Sequence, residues 1–184
     1  MEASDVSADL TRVLVSESEI QAKLGELARR IEDDFDGDRP LLVGVLKGAV
    51  MVMADLAREL RIHIDMDWMA VSSYGAGTQS SGVVRILKDL DTDLSGRRVL
   101  IVEDIIDSGL TLSWLRENLS LRGAQSVDIC ALLRKPGAAK VDVDVKYLGF
   151  DIPNEFVVGY GLDYAEAYRN LRDVAVLAPH VYEN

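Results

Sequence analysis

A single cysteine, Cys130, stands in 184 residues, so no disulfide can staple the chain to itself. It lies inside the apolar run 127–133 and reads as a reduced core residue rather than a nucleophile. Histidine is almost as scarce. His63 and His180 are far apart in sequence, which argues against a Ser-His-Asp triad or a histidine-based zinc site. No apolar run approaches the ~20 residues that a membrane span requires. Positive charge is also short: 20 Lys and Arg against 31 Asp and Glu give a net charge of −11 and a pI of about 4.6. A phosphate backbone or an anionic membrane would be repelled, so neither nucleic acid nor membrane is an expected partner; a small anion needs only a local positive site. The first ten residues are acidic and hold no apolar segment, so no secretory signal is expected and the cytoplasm is the expected location. There is no Gly-x-x-x-x-Gly-Lys-Ser/Thr loop, and Gly75, Gly77 and Gly82 have the wrong spacing for a dinucleotide fingerprint.

What is present is an ordinary globular composition, 48% hydrophobic and 28% charged, with no repeat and no linker. One domain spanning 1–184 is expected, with a core over about 38–160 and a small hood from about 10–20 and 147–184. Residues 1–9 read as a loose tail. Ser16 or Ser18 is placed to cap a helix carrying Ile20, Leu24, Leu27 and Ile31 at helical spacing, ended by Gly37. Strands are expected at 41–46, near 62–64, and at 67–72, 83–87, 99–102, 126–133, 147–150, 156–159 and 174–177. Helices are expected at about 49–60, about 110–122 and, shortly, after Asp163. Strands alternating with helices indicate an α/β fold with a mainly parallel sheet flanked by helices.

The segment from Val99 to Thr111 carries the most chemistry. Val99 to Val102 is a continuous aliphatic run, as in a parallel strand covered on both faces. Glu103 and Asp104 stand at its carboxyl end, where open α/β sheets bind ligands. Asp107, Ser108, Gly109 and Thr111 lead into a helix, whose first N–H groups lack internal partners and whose dipole is positive there. An anion cradle thus lies beside acids suited to a sugar diol or a metal.

Four further places are ordinary when taken singly. Lys47-Gly48 is a strand-to-helix turn with one local charge and one residue that permits close backbone approach. Lys135 closes a strand at a Pro-Gly break. Phe156, in Glu155 to Tyr164, would by itself be taken for core. The small, uncharged stretch 73–82 reads as a loop between two strands.

Together these motifs, in this order, resemble the purine phosphoribosyltransferases, most of all the hypoxanthine-guanine phosphoribosyltransferases. The resemblance runs from about Leu41 to Arg172. It implies the type I phosphoribosyltransferase fold with a hood built from the chain ends. It also implies transfer of the phosphoribosyl group from phosphoribosyl pyrophosphate to hypoxanthine or guanine, giving IMP or GMP and pyrophosphate. By that resemblance Asp107 to Thr111, Leu110 included, binds the 5′-phosphate, and Asp107 is the candidate general base for the purine N7 proton. Glu103 and Asp104 serve the ribose hydroxyls, and with Asp163 they hold Mg2+. Crowding of Glu103, Asp104 and Asp107 is expected to push one carboxyl pKa up. Leu46, Lys47, Gly48 and Arg169 bind pyrophosphate, with a cis Leu46–Lys47 peptide. Ile105, Lys135, Phe156 and Val157 form the purine site: Lys135 donates to the 6-oxo group, Phe156 stacks on the base, and the Val157 backbone meets its Watson–Crick edge. Ser73 and Tyr74 belong to a lid. A homodimer or homotetramer is implied. Ala49 stands where relatives often carry Gly, and Leu110 where they are often polar; neither removes a side chain the chemistry needs. A different base preference, xanthine included, and a non-catalytic RNA-binding regulator are the two rival readings. The net charge opposes the second.

Overall fold

The computed structural model describes residues 1–74 and 83–183. In chain order the main elements begin with β1 (Leu10–Val15), α1 (Glu17–Asp34), β2 (Leu41–Leu46), α2 (Val50–Glu59) and β3 (Asp65–Tyr74). They continue with β4 (Val83–Lys88), β5 (Arg98–Ile106), α3 (Leu110–Leu121), β6 (Ser126–Arg134) and β7 (Tyr147–Asp151). The last are β8 (Val157–Val158), β9 (Val174–Leu177) and α4 (Pro179–Tyr182).

α1 starts where its chemistry says it should. The Ser16 hydroxyl accepts from Glu19 N–H, and the Glu19 carboxylate accepts from Ser16 N–H, so two otherwise orphaned donors are satisfied. Ile20, Leu24, Leu27 and Ile31 fall on one face and are fully buried.

The central sheet has strand order β4-β3-β2-β5-β6-β7. Every neighbouring pair is parallel except β3–β4, so the sheet is mainly parallel as expected. β5 explains the unbroken apolar run. Leu100 and Val102 pack with α1 and α2 on one face, while Val99 and Ile101 pack with α3 on the other. A strand covered on both faces has no reason to alternate. The second sheet, β1-β9-β8, is antiparallel and joins the two ends of the chain. Among the described residues no helix is long and apolar enough to cross a membrane.

Several expectations are corrected. The first residues form a 3-10 stretch, Ala3–Asp9, and then β1, rather than a tail. β1 offers little pattern because only Val15 is buried; its partner β9 lies some 160 residues away. Residues 62–64 are not a strand; β3 begins at Asp65, tied by its N–H to Pro40 O. No helix follows Asp163. Ala165, Glu166 and Tyr168 all take positive φ there, which a right-handed helix forbids. Ser73 and Tyr74 end β3 rather than open a loop, and the rest of the proposed lid, 75–82, lies outside the described residues.

Candidate active site

β2 and β5 are adjacent and parallel, so their carboxyl ends deliver two turns to one place. The Leu46–Lys47 peptide at the end of β2 is cis. Gly48 follows, and a Cβ there would lie 1.8 Å from Asp104 Oδ2, so only glycine lets the β5 carboxylate sit against the turn. Gly161, at φ 101°, approaches from the other sheet; its Cβ would lie 2.1 Å from Gly48 O. Three segments distant in sequence therefore meet at two glycines, one against the Asp104 carboxylate and one against the Gly48 backbone.

Glu103 and Asp104 are part-buried within β5, which runs on to Ile106. Desolvation pushes the Glu103 carboxyl well above the usual carboxylate range, and the charge of Asp104 adds to it. Asp104 is pushed up to about 6, chiefly by desolvation. Its hydrogen bond from Ile105 N–H and the charge of Arg169 oppose that rise, while Asp163 favours it. The expected elevation is therefore present, with burial rather than crowding as its main cause. Asp163 is itself held by Arg169 Nη2 at 2.8 Å. Among the described residues no group of three acids, histidines or cysteines stands close enough to cage a metal. The donors nonetheless suit Mg2+. They are hard oxygens, and Mg2+ is typically held by one or two carboxylates together with waters and substrate phosphates.

Beyond Ile106 the chain turns through Asp107, Ser108 and Gly109 into α3. Gly109, at φ 78°, supplies the left-handed residue that aims the first turn of the helix. A cavity of about 140 Å³ lies here, lined by Glu103, Ile105, Asp107, Ser108, Gly109 and Thr111 among others. That is well under the ~300–1,000 Å³ of sites enclosing a whole small molecule, and suits one fragment such as a phosphate.

Lys135 follows β6 and is only 8% exposed. Its N–H bonds Ile106 O, and its Nζ stands 3.9 Å from Asp107 Oδ2. Ile105 is part-buried and pairs across to Leu133 of β6. Phe156 is 39% exposed at the edge of the small sheet, just before buried Val157. Its ring stacks on Tyr182 of α4 with centroids 5.0 Å apart and meets Tyr164 edge-on at 5.8 Å. Tyr182 was invisible to sequence reading because nothing local ties the end of the chain to Phe156.

The two cations also meet a residue that the sequence did not single out. Lys47 Nζ lies 3.0 Å from Glu166 Oε2, and Arg169 Nη2 lies 3.4 Å from Glu166 Oε1. Arg169 Nη1 donates to Gly161 O at 2.8 Å, while its buried Nε has no partner. The arrangement thus offers an acidic pair at one strand end, cations and helix-terminal amides around it, and an aromatic face opposite.

Comparison with known proteins gives this geometry relatives. Residues 15–165 match the family model described as phosphoribosyl transferase domain. Hypoxanthine-guanine phosphoribosyltransferase of Mycobacterium avium is 55% identical over 181 residues, covering 95% of this chain and 89% of that one. The Bacillus subtilis protein of the same name is 53% identical, covering 96% and 98%. The crystal structure of a hypoxanthine phosphoribosyltransferase from Staphylococcus aureus superposes with a TM-score of 0.95 at 45% identity, covering 98% of both chains.

Proposed function

Because this chain belongs to the phosphoribosyltransferase family, among its hypoxanthine-guanine members, we propose that it salvages purines by transferring the phosphoribosyl group of phosphoribosyl pyrophosphate to hypoxanthine or guanine. The products are IMP or GMP and pyrophosphate. The observation that carries the reading is the convergence of the Lys47–Gly48 turn, the Glu103–Asp104 pair and the amide-lined turn before α3 at the ends of neighbouring parallel strands.

The substrate's parts divide among these groups. The turn from Asp107 through Ser108, Gly109 and Leu110 to Thr111 takes the 5′-phosphate on backbone amides and the two hydroxyls. Leu46, Lys47, Gly48 and Arg169 take the pyrophosphate, the two cations meeting its charge. Glu103 and Asp104 face the ribose hydroxyls, and their charge favours the cationic ribosyl group that forms as pyrophosphate departs. With Asp163 they would hold Mg2+, which when bound neutralises charge on the leaving group.

Phe156 stacks on the base, Ile105 flanks it, and the Val157 backbone meets its Watson–Crick edge. Lys135 has donors only, so it pairs with a 6-oxo group and leaves a buried ammonium unpaired beside the amino group of adenine. N9 bonds to the anomeric carbon, the bond from that carbon to pyrophosphate oxygen breaks, and the N7 proton passes to Asp107. Since Lys135 stands 3.9 Å from Asp107, recognition of the oxo group and acceptance of the proton are exercised by neighbours.

The whole chain acts as one domain in this reading, with the core at about 38–160 and the chain ends forming the hood. We place it in the cytoplasm, where the buried Cys130 thiol stays reduced, as a homodimer or homotetramer. A spectrophotometric assay with phosphoribosyl pyrophosphate and magnesium, offered hypoxanthine, guanine, xanthine and adenine in turn, tests the proposal. Turnover of the first two, abolished by chelator, is expected. Turnover of adenine, or of no base by folded protein, overturns it.

A further inference from the structure

We propose that Glu166 is a stand-in for the leaving anion: before substrate binds, its carboxylate occupies Lys47 and Arg169, and the pyrophosphate group must displace it. The inference rests on the reading that these two cations receive pyrophosphate. One carboxylate spans both, with Oε2 3.0 Å from Lys47 and Oε1 3.4 Å from Arg169. Carboxylate and phosphoryl oxygens compete for the same donors, and here a single group, 119 residues from Lys47, joins that cation to Arg169.

The backbone is built to present it. Glu166 takes φ 66°, between Ala165 at 50° and Tyr168 at 71°, a conformation that L side chains rarely adopt. Three sets of bonds hold the turn there. Glu166 N–H donates to Asp163 Oδ2 at 2.8 Å, Tyr164 and Ala167 exchange backbone bonds, and Gly161 N–H donates to Arg169 O. Gly161 then docks the whole turn on Gly48 O, beside Lys47. A solvated surface glutamate needs none of this.

The contact is also made to be released. The Lys47 and Glu166 side chains are both about two-thirds exposed (65% and 64%), whereas Arg169 and Asp163 are far more enclosed at 24% and 28%. An incoming polyanion can therefore take over the exposed ion pair while the Asp163–Arg169 pair stays in place. Glu166 keeps Lys47 close to where it is needed and opposes any anion too weakly charged to displace a carboxylate.

Calorimetric titration of the full chain with magnesium pyrophosphate tests this, comparing wild type with Glu166→Gln. Removing the competing charge is expected to tighten binding by about two- to five-fold, the range that an exposed ion pair supports. The gap should narrow at high salt. Glu166→Asn, whose backbone tolerates the left-handed region better, is expected to give the same gain if Gln disturbs folding. Unchanged or weaker binding by variants that melt like wild type overturns the inference, because loss of a merely structural contact does not raise affinity. Lys47→Ala separates this from the underlying reading. If that change leaves pyrophosphate affinity intact, the site itself is misassigned and the inference falls with it. If it weakens binding while Glu166→Gln does not tighten it, only the inference falls.

Discussion

Asp104 holds its charge against its surroundings. Its carboxyl is pushed up to about 6 from a reference of 3.8. Below about pH 4 it is protonated in folded and unfolded chains alike and costs the fold nothing. Between there and pH 6 the unfolded chain releases its proton first, so stability falls as pH rises, and above about pH 6 the whole penalty is present. Thermal melting in chelator should therefore show Asp104→Asn melting above wild type at pH 7, with the gap closing near pH 4. The same variant should turn over poorly, since on the proposed reading that charge serves the ribose and the metal. Asp107 is a different case, exposed and beside Lys135. Asp107→Asn should lower kcat by at least ~10-fold while phosphoribosyl pyrophosphate still binds, as read by steady-state kinetics and calorimetry. Lys135→Ala should erode the preference for 6-oxopurines over adenine, measured as a ratio of kcat/KM values.

At the scale of elements, α1 shows how much local chemistry decides. Its cap, its apolar stripe and its end at Phe35, just before Gly37, all follow from short-range rules, and β2, β6 and β9 fall where their apolar runs place them, while β5 continues past its apolar run through Glu103 and Asp104 to Ile106. Ser16→Ala should cost about 1 kcal/mol in denaturant unfolding, with an unchanged m-value. The misreadings share a cause. β1 is defined by a partner about 160 residues away, and its own burial pattern is nearly blank. The stretch after Asp163 has helix-forming composition, yet contacts with Gly48 and Asp163 hold it in left-handed turns. The candidate site divides in the same way. Glu103 to Thr111 is contiguous, so one passage of sequence displays it. Glu166 and Tyr182 reach Lys47 and Phe156 only through folding, and no spacing announces them.

The whole molecule is two sheets with separate duties. On the proposed reading the central one receives the phosphate and ribose groups, while the small one positions Phe156 and Val157. The chain's beginning is stitched to its end: Met1 donates to Asn170 O, Arg172 pairs with Glu2 and Glu17, and Ala178 N–H donates to Asp9 O. Deleting 1–15 removes β1 and exposes one edge of β9. The expected result is a lower melting temperature and a KM for hypoxanthine raised by ~10-fold or more, because small misplacements of a binding group are costly. The KM for phosphoribosyl pyrophosphate should change much less, as steady-state kinetics with each substrate varied would reveal.

β9 is the middle strand of the small sheet, with β1 on one side and β8 on the other. Among the described residues it is also the last strand in sequence. β1 and β8 have no ladder to each other and are joined only through it. The central sheet shares no strand with the small one, so its closure does not depend on residues 174–177. On the proposed reading, the base-facing side of the site is therefore complete only when the strand that joins β1 to β8 is in place.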